Sequence, residues 1–82
     1  MPKPCSATGE KNLIGSRVAA LRKRDRMSQR DLANKMQLLG LDMDKNVITR
    51  IETGKRFVTD FEILTLVKVF EVSYEYLIEG KE

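Results

Sequence analysis

Apolar side chains recur along the chain at three- and four-residue intervals, the spacing of helices with one buried face. In the first run Ile14, Val18 and Leu21 share a stripe while Arg17, Arg22, Lys23 and Arg24 take the other faces, and Asn12 stands where an N-cap belongs. Lys23, Arg24 and Arg26 crowd the far end, where cations suit the negative pole of the helix dipole. The second run buries Leu32, Ala33, Met36 and Leu39 behind a cap at Ser28, with Asp31 three residues on as a weaker relative of the capping box, and Gly40 stops it. In the third, capped by Asp44, the inner positions are Val47 or Ile48, then Ile51, and Gly54 ends the helix. Thr59 and Glu62 make a capping box for a fourth helix with Ile63, Leu66, Val67 and Phe70 inside. Ser73 caps a short fifth helix carrying Tyr76, Leu77 and Ile78, and Gly80 closes it. No segment alternates apolar and polar residues for long enough to be a strand. The pattern predicts an all-α domain, a small bundle of five helices over residues 12–82, behind an aperiodic, breaker-rich arm, residues 1–11 (MPKPCSATGEK).

Composition changes this picture in three respects. Eighty-two residues, 41% hydrophobic and 33% charged, suit one domain with one core. No apolar run approaches the roughly 18 residues of a membrane span, and Met-Pro-Lys-Pro lacks the apolar stretch of a secretion signal, so the expected compartment is the cytoplasm. The lone cysteine, Cys5, reads as an exposed thiol in the arm, without an internal disulfide. Charge is unevenly spread: residues 1–58 carry 13 Lys/Arg against 6 Asp/Glu, and residues 59–82 carry 2 against 6. A basic part that could face a polyanion is followed by an acidic part with another task. With no histidine, one tail cysteine and no glycine-rich loop after a strand, the chain lacks the parts for zinc or Cys/His chemistry. It is expected to be no enzyme and to take no metal, cofactor or small-molecule substrate.

The stretch DMDKNVITRIETGKR, residues 42–56, admits two readings. Asp42, Asp44 and Asn46 alternate as calcium-loop ligands do. Such a loop needs Gly at its sixth position and Glu at its twelfth, where Val47 and Thr53 stand, and Arg50 occupies the ninth. The calcium reading fails. As a short helix, the stretch gives Asp44 a capping role and makes Asp42 a turn residue. It then presents Lys45, Asn46, Thr49 and Arg50 outward. These side chains match what the major groove asks of a protein. Asn can pair bidentately with adenine and Arg with guanine, and Thr offers a methyl and a hydroxyl.

SQRDLANKM, followed by ITRIETGKR and LVKVFEVSYEYL, resembles the Cro/repressor-type, lambda-repressor-like helix-turn-helix family over about residues 13–80. The resemblance implies that Ser28 and Gln29, opening the second helix, bind a DNA phosphate. It places the base-reading positions on Lys45, Asn46 and Arg50, with Thr49 beside them, and puts Lys55 and Arg56 on the sugar-phosphate backbone. It also implies a structural ion pair between Arg22 and Glu52. Both flank core positions (Leu21, Ile51), where an unpaired charge would be costly. One feature departs from the family pattern: QLLGLDMD holds about five residues more than the tight turn usual between the second and third helices. A second helix longer by about a turn is expected, then a wider loop in which Leu41 or Met43 plugs the core.

The expected function is a sequence-specific, double-stranded-DNA-binding transcription regulator, a repressor acting as a homodimer on a near-palindromic operator. Tyr74, Tyr76 and Ile78, more apolar than a monomer's last helix needs, mark the expected dimer contact, unless one tyrosine completes the core instead. The alternative is a protein-interaction module, such as an antitoxin or adaptor, whose partner is another protein. An adaptor has no reason to keep the outer face of the third helix as Lys, Asn and Arg.

Overall fold

The computed structural model describes residues 9–81; Cys5 and most of the arm lie outside them. Five helices follow in order: α1 (Gly15–Arg24), α2 (Gln29–Leu38), α3 (Lys45–Glu52), α4 (Asp60–Phe70) and α5 (Tyr74–Glu79), with no strand among the described residues. α3 packs on both α1 and α2, while α4 packs on α2 and carries α5.

Local chemistry accounts for the helix limits. Ser28 and Asp31 form a complete capping box, as do Thr59 and Glu62, each satisfying two amides that the first turn leaves free. Asp44 and Ser73 accept from the amides of Val47 and Tyr76. α1 begins later than a cap at Asn12 would set it: its N-cap residue is Ile14, and the Asn12 Oδ1 reaches forward to accept from the amides of Ile14 and Gly15 at 3.1 and 2.8 Å. Two residues past Glu52, α3 is closed off by Gly54, whose φ of +74° suits only glycine without strain, while the Lys55 N–H turns back to the Arg50 carbonyl at 2.9 Å.

The core joins all five helices: Ile14, Val18 and Leu21 from α1 and its cap, Leu32, Ala33 and Met36 from α2, Ile48 and Ile51 from α3, Leu66 and Phe70 from α4, and Leu77 from α5. Met43, from the long connection, is buried among them, and Leu41 packs at the edge. Leu39 does not join the stripe of α2. The helix stops at Leu38, and the Leu41 N–H folds back to the Met36 carbonyl. That leaves Leu39 52% exposed beside Leu38, which is 86% exposed. Met43, arriving from the loop, is the residue that enters the core at this end. On α4 the inner set also shifts. Ile63 and Val67 only border the core, whereas Glu62 and Thr65 are buried. Neither polar side chain is orphaned, since Glu62 pairs with Arg56 and the Thr65 hydroxyl donates to the Phe61 carbonyl.

Candidate nucleic-acid interface

α3 is fixed from behind by a polar relay. The Arg22 Nε and Nη2 donate to the two carboxylate oxygens of Glu52 at 2.7 and 3.1 Å, and Nη1 donates to the Met27 carbonyl at 2.9 Å. The two side chains keep only 13% and 7% of their surface, so the pair is close to fully enclosed. The Glu52 hydrogen bond, helped by its charge and opposed by burial, raises the Arg22 pKa, so the guanidinium stays charged. The Gln29 Nε2 donates to Glu52 Oε1 at 3.1 Å, and its Oε1 accepts from the Thr49 hydroxyl at 2.9 Å. One carboxylate thereby ties α1, α2 and α3 together. Asn12 adds a second tie: its amide donates to the carbonyls of Ile51 and Arg56 at 3.1 and 2.8 Å. No sequence signal could have found that role, because its partners lie 39 and 44 residues away.

In front of this frame, Lys45, Asn46 and Arg50 are exposed on α3, and Lys55 is exposed just beyond it. Thr49 is half-buried, and its hydroxyl is within donating distance of both the Gln29 Oε1 and the Lys45 carbonyl, at 2.9 and 3.0 Å. It therefore has its methyl to offer rather than a free hydroxyl. At the start of α2 the Ser28 hydroxyl is engaged by the Asp31 amide, and both ends of the Gln29 amide are engaged by Glu52 and Thr49. What remains there for an anion is the Ser28 hydroxyl proton and the backbone amides of Gln29 and Arg30.

Arg56, expected as a backbone contact beside Lys55, is drawn into an ion pair. Its two terminal nitrogens donate to the Glu62 carboxylate at 2.7 and 2.9 Å. The charges are mutually satisfied and half-enclosed, so Arg56 serves to anchor the start of α4. Burial by itself would raise the Glu62 pKa, but the Arg56 pair and the Thr59 amide outweigh it and hold the carboxyl below its ordinary range.

Two residues absent from the sequence-derived set join the surface. Arg30 and Asn34 rise four apart on the outer side of α2, opposite Leu32 and Met36, and line an open groove with Ala33, Gln37, Asp44, Lys45 and Asn46. Their spacing on the polar face of α2 was visible in the sequence; that the face adjoins the first turn of α3 was not. The C-terminal residues do not gather on one surface. Tyr74 and Ile78 stand one turn apart, while Tyr76 lies about 200° round the helix from Tyr74. Tyr76 is half-buried against the core and shares a hollow with Arg24, Val72 and Ser73. Among the described residues no group of three His, Cys, Asp or Glu could hold a metal ion, and no helix is long and apolar enough to cross a membrane.

The helix-turn-helix family matches residues 18–77. Among solved structures, the chain is similar to the P22 c2 repressor in complex with synthetic operator 9T, with a TM-score of 0.72 and 24% identity over 85% of this chain and 98% of that one. No curated protein sequence matches it.

Proposed function

The chain belongs to the helix-turn-helix family, and from that membership we propose a DNA-binding transcription regulator, more finely a repressor that binds a near-palindromic duplex operator as a homodimer. The observation that carries the reading is the pairing of a rigid back with an open front on α3. Arg22, Glu52 and Gln29 hold the helix from behind, and Lys45, Asn46 and Arg50 stand exposed before it. A side chain that reads a base edge must arrive at a fixed position, and a helix tied on two sides provides it. Asn46 is assigned to a base edge, Lys45 and Arg50 to base edges or phosphates beside it, and Thr49 to apolar contact. Lys55, the Ser28 hydroxyl and the amides of Gln29 and Arg30 are assigned to phosphates. The P22 c2 repressor, which shares this fold, is solved in complex with an operator, which supports the DNA-binding reading.

The deciding experiment is selection of bound duplexes from a random pool, using the full chain at moderate salt. An enriched inverted repeat with half-sites about one helical turn apart is expected. Absence of enrichment would favour the adaptor reading, in which the fold holds a protein instead.

A further inference from the structure

On the side of α4 turned from the core, Phe61 is 71% exposed and Leu64 37%, and with Ile63 and Tyr74 they line an apolar groove edged by Asp60. Large apolar side chains gathered this way mark a surface that something covers. The charges around them say what. Asp60, Leu64 and Lys68 follow at four-residue spacing, so they rise along one face of α4 with Phe61 beside them. Leu64 sits midway, about 6 Å along the axis from each charge. Asp60 and Lys68 are both exposed, and the Asp60 carboxylate is used only by the neighbouring amide of Phe61 at 2.8 Å. The face therefore carries an acid at one end, a base at the other, and apolar groups between them.

Such a face is complementary to itself when turned end for end. We propose that α4 docks antiparallel on α4 of a second copy, with the two-fold axis passing Leu64. Phe61 and Leu64 of each copy form the apolar contact, and Asp60 of each meets Lys68 of the other. This is the isologous contact that a two-fold dimer requires. A parallel alignment would set acid on acid and base on base, so the charges select the orientation more than they add affinity. The inference rests on the homodimer reading and gives that dimer its face. It moves the contact from α5, where Tyr74 alone borders the groove and Tyr76 turns elsewhere.

Charge reversal on the full chain, followed by sedimentation velocity over a concentration series at low salt, tests the proposal. Asp60→Lys alone and Lys68→Glu alone each create two like-charge contacts per dimer, and each should dimerise at least about tenfold more weakly than the parent. Mixed in equal amounts, the two variants bring opposite charges together at both ends and should recover the parent's dimer. Leu64→Arg, on the axis, should abolish it. Because Asp60 also serves the Phe61 amide, melting curves accompany each variant, and Lys68→Glu decides alone if Asp60→Lys is loosened. Lys68→Glu dimerising like the parent, or a mixture of folded variants no better than either alone, would overturn the α4 face and leave the dimer reading standing. A parent that stays monomeric at high concentration and on operator would overturn both.

Discussion

Replacing Glu52 by Ala should unfold this domain at a far lower temperature, because one carboxylate holds three helices. In the parent, two charge-assisted hydrogen bonds of 2.7 and 3.1 Å join it to Arg22, and a third of 3.1 Å joins it to Gln29. Opposite charges about 4 Å apart attract by roughly 4 kcal/mol at the effective dielectric constant of about 20 that suits such sites. Truncation removes that attraction and leaves a guanidinium, 13% exposed, with the Met27 carbonyl as its one remaining partner. Breaking a buried pair from one side costs about 3–5 kcal/mol. The low end applies here, since Arg22 retains a carbonyl and some water, so about 3 kcal/mol is expected. Domains of this size have only about 4–12 kcal/mol of stability, and a loss of about 3 should lower Tm by roughly 12–24 °C. Thermal melts and urea titrations of parent and Glu52→Ala at neutral pH would measure it, with an unchanged urea slope showing that the native fold is the one being compared. A melt within about 3 °C of the parent would place the pair at the under-1 kcal/mol worth of an exposed one and refute the claim that it frames the reading helix.

The remaining predictions separate reading, charge and packing. Asn46→Ala should cost roughly 1–3 kcal/mol on operator and little on scrambled duplex, and equal losses on both would mean the reading helix is misplaced. Lys55→Ala should weaken every sequence alike and lower the salt slope by about one unit, whereas Arg56→Ala should lower the melting temperature and leave that slope at the parent value; a slope change for Arg56 would restore it to the backbone contacts. Glu62, whose folded pKa lies below its ordinary 4.5, contributes stability that is whole above that value and is lost as pH falls through the folded pKa. Glu62→Gln should therefore flatten the acid limb of a stability–pH curve, and an unaltered limb would show that the Arg56 pair carries no such linkage. Gly15→Ala should cost about 1–3 kcal/mol, because a Cβ there runs into the carbonyls of Ile51 and Glu52 at the end of α3; a neutral melt would mean that α1 and α3 part without penalty.

Periodicity and capping chemistry were enough to place five helices, because those signals are local. Ser28, Asp44, Thr59 and Ser73 act on amides within three residues, and Val18, Leu32, Ile48 and Leu66 lie one helical turn or two from their stripe-mates. The outward set on α3 was legible for the same reason: once Ile48 and Ile51 face in, Lys45, Asn46 and Arg50 must face out. Tertiary structure decided whatever depended on partners far along the chain. Arg56 reads as a free cation until Glu62 is seen to meet it, and Gln29 as a free amide until Glu52 and Thr49 take both its ends. Met43 rather than Leu39 fills the core beyond α2, since the route of the long connection, not helical spacing, brings a side chain there. Arg30 and Asn34 share a groove with Lys45 and Asn46 only because α2 and α3 pack side by side. Hydrogen bonds and burial act over a few ångströms in space, so periodicity and capping reveal them only where neighbours in space are also neighbours in the chain; the Arg22–Glu52 pair, 30 residues apart, was legible only through the family resemblance.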